Sequence, residues 1–196
     1  MKVSIIGQGY VGLTISAFAG QTHGVIGFDT NSEIVDRLNQ GISHIEGVES
    51  SLILELISKG KYKATTNETE INGSDVVVIA LPTPLDASRK PDLSFIDAAC
   101  KVIAENLEAP ALIINESTSY PGTLREVVEA TISSINKSKL LYAAAPERID
   151  PANTKWSIKN TPRFVAGLTD EAGKATLDFY LSFCDQVELV SSPEVA

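Results

Sequence analysis

Short runs that are apolar at almost every position alternate along this chain with longer stretches whose apolar residues recur every three or four positions. The short runs are Lys2–Ile6, Gly24–Phe28, Tyr62–Thr65, Val76–Ala80, Ala111–Ile114, Leu140–Ala143, Arg163–Ala166 and Gln186–Val190. Asp75-Val76-Val77-Val78-Ile79-Ala80 shows the type. A strand with no polar face is covered on both sides, as parallel sheets require. The helical spacing predicts Tyr10–Gln21, Asn31–Asn39, Ser50–Ser58, Ser94–Asn106, Thr123–Ser134 and Asp170–Phe183. Strands alternating with helices imply right-handed crossovers and an α/β fold: a doubly wound, mainly parallel sheet with helices on both faces. No repeat, linker or low-complexity segment interrupts the pattern, so residues 1–196 read as one domain.

The first turn between strand and helix carries Gly7-Gln8-Gly9-Tyr10-Val11-Gly12. In this GxGxxG spacing Gly7 permits a tight turn, Gly9 lets the backbone approach a diphosphate, and Gly12 lets the helix pack close to the sheet. An anion there meets backbone N–H groups and the positive end of the helix dipole. The second predicted strand ends at Asp29, 22 residues after Gly7. A carboxylate at that tip accepts hydrogen bonds from ribose hydroxyls and repels a 2′-phosphate. Thr30-Asn31-Ser32 supplies no arginine to reverse that preference, so the turn favours NAD over NADP in a Rossmann-like domain.

Composition narrows the function further. Apolar residues make up 43% of the 196 and charged residues 21%, which suits a globular chain. The net charge of −9 disfavours nucleic acid and anionic membrane surfaces as partners. No apolar stretch has the length of a transmembrane helix or the form of a secretory signal. The two cysteines, Cys100 and Cys184, form no CxxC pair and suit a reducing cytoplasm, where each reads as a small buried filler. His23 and His44 stand apart, so no metal site is expected.

Three polar or proline-rich segments follow predicted strands, where open α/β sheets bind ligands. They are Leu81-Pro82-Thr83-Pro84-Leu85-Asp86, Glu116-Ser117-Thr118-Ser119-Tyr120-Pro121-Gly122-Thr123, and Ala145-Pro146-Glu147-Arg148-Ile149-Asp150-Pro151. Taken as residues alone, Thr118 also reads as a turn cap before Pro121, and Glu147 with Arg148 as a solvated surface ion pair.

With the glycine turn and Leu38-Asn39-Gln40-Gly41, these segments resemble the UDP-glucose/GDP-mannose dehydrogenase family from Met1 to the last residue. STSYPGT and PERIDP look most like the branch that oxidises UDP-N-acetylhexosamines. The resemblance implies a four-electron oxidation of a UDP-sugar C6 alcohol to the carboxylate, with two NAD⁺ consumed and a cysteine-bound thioester hydrolysed by water. It implies that Tyr10, Val11 and Asp29 contact NAD and that Thr83 lies by the cofactor. Thr118 would stand close to both the nicotinamide and the reacting C6. Glu147 would activate or orient the hydrolytic water, and Arg148 and Ile149 would line the sugar-nucleotide site.

Two positions depart from the family pattern. Ile34 replaces a frequent lysine or arginine near the adenosine, and Ala152 replaces a frequent glycine. The family's nucleophilic cysteine, and a lysine and an asparagine on a central helix, fall past Ala196. Cys100 and Cys184 lack the nucleophile's context. The resemblance therefore implies an N-terminal fragment of a cytoplasmic protein about twice as long, assembling as a homo-oligomer, expected as a dimer. Such a fragment is expected to bind NAD without turning over substrate. UDP-glucose 6-dehydrogenase and a stand-alone NADH-sensing module remain alternatives. The β-hydroxyacid dehydrogenases share the opening fold but leave STSYPGT and PERIDP unexplained.

Overall fold

The computed structural model describes residues 1–108, 110–148 and 155–196. Eight strands form one sheet in the order β3-β2-β1-β4-β5-β6-β7-β8. They are β1 Lys2–Ile6, β2 Gly24–Phe28, β3 Tyr62–Thr65, β4 Val76–Ile79, β5 Ala111–Asn115, β6 Leu140–Ala144, β7 Arg163–Gly167 and β8 Val187–Leu189. All neighbours pair in parallel except β6 and β7, which run antiparallel. Strand order reverses between β1 and β4, so a crevice opens at their carboxyl ends.

The helices are α1 Tyr10–Ala19, α2 Ser32–Asn39, α3 Ser50–Ser58, α4 Ser94–Asn106, α5 Ala130–Ile135 and α6 Asp170–Leu181. They cover both faces, and β4 shows why its sequence has no polar side. Val76 and Val78 enter one buried cluster with Ile5, Leu13, Ile15 and Phe179. Val77 and Ile79 enter the other with Ile96, Ile103, Val128 and Ile132.

The expected helix Thr123–Ser134 differs from the structure. Leu124–Glu129 forms π turns, and only Ala130–Ile135 is α-helical. Leu124, Val128 and Ile132 are buried at intervals of four. That spacing overshoots an α-helical turn, and wider turns absorb the drift along the sheet. Helix α1 stops at Ala19, two residues before the expected end, where the Gly20 N–H closes onto the Ser16 carbonyl.

Three backbone hydrogen bonds fix the carboxyl edge. Ala80 N–H bonds Ile6 O at 2.9 Å, Glu116 N–H bonds Ile79 O at 2.9 Å, and Ala145 N–H bonds Asn115 O at 3.0 Å. The glycine turn and the segments after β4, β5 and β6 thus leave the sheet side by side.

Candidate dinucleotide and sugar-nucleotide site

The glycine turn has the geometry its spacing predicts. Gly7 sits at φ +91°, and a Cβ there would stand 2.6 Å from the Ala80 carbonyl oxygen. A Cβ on Gly12 would stand 1.8 Å from the Gly7 carbonyl oxygen, so glycine alone lets α1 approach β1 this closely. A Cβ on Gly9 would meet nothing within 4 Å. Gly9 is therefore not required by packing inside the chain, and the open space lies where a diphosphate would approach. No side chain caps the start of α1, and no acidic residue stands in its first turn. The positive helix end suits an anion from outside the chain.

Asp29 reaches this turn. Its Oδ2 accepts the Gln8 N–H at 2.8 Å, and its Oδ1 accepts the Asn31 N–H at 2.9 Å. Ribose hydroxyls can use the remaining lone pairs of both oxygens. Gln8 was not singled out from the sequence, yet it anchors the loop. Its side chain is fully buried; Oε1 accepts Tyr62 OH at 2.8 Å and Ser16 OH at 3.1 Å, and Nε2 donates to the Ile5 and Gly7 carbonyls at 3.1 Å. Gly27 makes room for this amide, since a Cβ there would lie 2.5 Å from Gln8 Oε1.

Beside Asp29 lies a mainly apolar slot of about 130 Å³, walled by Phe28, Leu81, Phe95, Ala98 and Val102. A flat base attached to the ribose fits such a slot. Ile34 is partly buried and packs against the core, so its apolar side chain has a structural role there. Position 152 and Ile149 lie outside the described residues.

Thr83 and Thr118 are brought together. The Thr83 hydroxyl donates to the Thr118 carbonyl at 2.6 Å, which ties the loop after β4 to the loop after β5. Ser117 adds a second tie by accepting the Leu81 N–H on its hydroxyl at 2.9 Å. Thr118 is exposed on a pocket of about 220 Å³ lined also by Asn115, Ser119, Tyr120 and Pro146. The turn Tyr120–Thr123, which contains Pro121, closes through Thr123 rather than Thr118, with Thr123 Oγ1 donating to Tyr120 O at 2.8 Å.

Glu147 is not part of a solvated surface pair. Its Oε2 lies 3.2 Å from Nη2 of Arg163, and its side chain is only 10% exposed. Its Oε1 accepts the Arg148 N–H at 2.6 Å. The exposed Arg148 lays its guanidinium over the Phe164 ring, 4.6 Å from the centroid.

Sequence reasoning missed the buried cluster behind Glu147. Arg163 Nη1 pairs with Glu116 Oε1 at 2.5 Å, Tyr180 OH bonds the same oxygen, and Arg163 lies over the Tyr180 ring at 4.7 Å. Burial, opposed by the Arg163 charge and reinforced by the Glu147 charge, pushes the Glu116 carboxyl up to about 7. Burial raises the Tyr180 hydroxyl as well. The available signals were an arginine heading an otherwise apolar strand and a glutamate leading the Ser117-Thr118 pair.

Neither cysteine is poised as a nucleophile. Burial pushes the Cys100 thiol up to about 12 and the Cys184 thiol up to about 11. Among the described residues no cluster of histidine, cysteine and acidic groups could hold a metal, and no helix is long and apolar enough to cross a membrane.

The glycine turn, the carboxylate at its flank and the three adjoining loops agree with a known family. The model of the UDP-glucose/GDP-mannose dehydrogenase family, NAD binding domain, matches residues 1–183. This chain belongs to that family. UDP-N-acetyl-D-mannosamine dehydrogenase of Pyrococcus horikoshii is 33% identical over 188 residues, covering 93% of this chain and 45% of the relative. The Escherichia coli K12 enzyme of the same name is 30% identical, covering 99% of this chain and 48% of the relative. The crystal structure of a ternary complex of GDP-mannose dehydrogenase from Pseudomonas aeruginosa superposes with a TM-score of 0.90 at 26% identity, covering all of this chain (100%) and 47% of that one. The chain thus spans a little under half the length of these dehydrogenases. The Rossmann-like sheet and NAD as cofactor stand as expected from the sequence.

Proposed function

We propose that this chain is the NAD-binding half of a cytoplasmic nucleotide-sugar 6-dehydrogenase that converts the C6 alcohol of a UDP-N-acetylhexosamine to the uronate. One observation carries this reading: a single sheet edge joins the glycine turn, through the Thr83–Thr118 tie, to a nearly buried glutamate. The relatives' names favour the N-acetylhexosamine branch, and STSYPGT and PERIDP point the same way.

The residues fit NAD. The start of α1 would hold the diphosphate, Asp29 the adenosine ribose, and the slot beside Phe95 the adenine. Bound NAD⁺ supplies the hydride acceptor. Thr118, on the pocket wall, would orient the C6 oxygen with its hydroxyl. Glu147 would serve the hydrolytic half. A water oxygen bonds to the thioester carbonyl carbon while one water proton passes to the Glu147 carboxylate. The carbon–sulfur bond then breaks, and the sulfur departs as the thiolate of a cysteine belonging to the other half of the enzyme.

The full-length enzyme should form two NADH per sugar with UDP-N-acetylmannosamine or UDP-N-acetylglucosamine. Preference for UDP-glucose would move it to the other branch. A protein that binds NAD but oxidises no UDP-sugar would overturn the reading. Glu147→Gln should slow thioester hydrolysis by roughly 10²-fold or more, the scale of general-base catalysis, and leave the first hydride transfer nearly intact.

A further inference from the structure

Arg163 joins the two loops assigned to chemistry, although no motif contains it. It heads β7, the strand that runs antiparallel to β6, and that reversal turns two consecutive residues onto the loop after β6. Arg163 meets Glu147, and Phe164 meets Arg148. The guanidinium is almost wholly buried, and its two terminal nitrogens point to different carboxylates. Nη1 takes Glu116 at 2.5 Å and the Ala145 carbonyl at 3.1 Å. Nη2 straddles Glu147, 3.2 Å from Oε2 and 3.4 Å from Oε1.

Burying an ion pair stabilises a fold little or not at all, because desolvation offsets the attraction. An apolar residue heading β7 would fill the space at lower cost. If charge balance were the whole role, Glu116 and the Tyr180 ring would already supply it. The second fork has a different result. It fixes the rotation of the Glu147 carboxylate, whose chain neighbour Pro146 lines the same pocket as Thr118.

We propose that Arg163 is a positioning residue that holds the Glu147 carboxylate toward the reacting carbon, with Glu116 and Tyr180 holding Arg163 in turn. This rests on the role given to Glu147 above. Glu116 anchors Arg163 from the loop after β5, while the Thr118 end of that loop is held separately by its tie to Thr83.

The test uses the full-length enzyme in single-turnover experiments that resolve NADH formation in the first hydride transfer from release of the uronate. Arg163→Met is combined with Glu116→Gln, so that the fully buried Glu116 carboxylate is not left facing an empty site, while Glu147 loses only its arginine. The double variant should keep NAD affinity and the first hydride transfer within about threefold. Its hydrolysis should fall about 10²-fold, the effect of an ångström-scale misplacement. Arg163→Lys should hydrolyse at an intermediate rate, since the charge returns without the fork. A double variant that hydrolyses at the parental rate, or loses both steps alike, would show a purely structural arginine and end the proposal. If the double variant does not fold, Arg163→Lys decides: equal effects on both steps refute it. Glu147→Gln with unchanged hydrolysis would instead bring down the reading of Glu147 itself.

Discussion

Gly9 and Gly12 occupy the same turn, yet they are glycines for opposite reasons, and alanine at each separates binding from folding. At Gly9 the backbone is extended, with φ −70° and ψ −161°, and a Cβ meets nothing within 4 Å. Alanine there reduces unfolded-state entropy, a gain of about 0.4–1 kcal/mol. It is also a poorer N-cap than glycine, by a comparable amount. The two effects nearly cancel, so stability should stay within about 1 kcal/mol, or a melting shift under about 4 °C. The methyl group nevertheless projects into the space left for the diphosphate. Overpacking of this kind costs about 1–3 kcal/mol, so NAD affinity should fall about 5- to 150-fold. At Gly12 the added Cβ lies 1.8 Å from the Gly7 carbonyl oxygen, which is backbone and has nowhere to go. Alanine there must push α1 off the sheet, at about 3 kcal/mol or more, lowering the melting temperature by about 6–12 °C. Titration calorimetry with NAD⁺ and circular-dichroism melts measure the two quantities on the same samples. The reasoning fails if Gly9→Ala binds NAD⁺ as the parent does, or if the two variants lose stability equally.

Asp29→Ala should weaken NAD⁺ binding by about 1–3 kcal/mol, the scale of charge-assisted hydrogen bonds, since the carboxylate also clamps Gln8 at 2.8 Å. Calorimetry showing unchanged affinity would remove Asp29 from the ribose site. Glu116 makes stability depend on pH with a definite sign. Its carboxyl is pushed from 4.5 up to about 7, so the folded state holds the proton more tightly than the unfolded chain. That contribution is complete below the unfolded value and is lost as pH rises through about 7, by about 3 kcal/mol. Urea melts of the parent and Glu116→Gln between these pH values should therefore diverge. Parallel curves would contradict the buried, proton-holding carboxyl.

Most of the framework could be read from residue order, because local physics decides it. Doubly apolar runs such as Val76–Ile79, short and β-branched, read as covered strands, and strands joined by helices wind in one direction. Gly7, Gly12 and Asp29 were readable for the same reason: their spacing is local to one turn and one crossover. The Thr83–Thr118 tie and the burial of Gln8 beneath Gly27 were not, since each joins residues from separate strands. The π turns at Leu124–Glu129 answer to the sheet beneath them, and an apolar spacing of four does not by itself separate them from an α-helix. Above all, the antiparallel entry of β7 decided which arginine meets Glu147. Sequence proximity suggested Arg148, its neighbour; the sheet instead delivers Arg163, 16 positions away, into a buried site where the desolvated charges of Glu116 and Glu147 meet its own. Neighbours along a chain share a loop, but only packing removes water, and removing water is what turns a pair of charges into a fixed geometry.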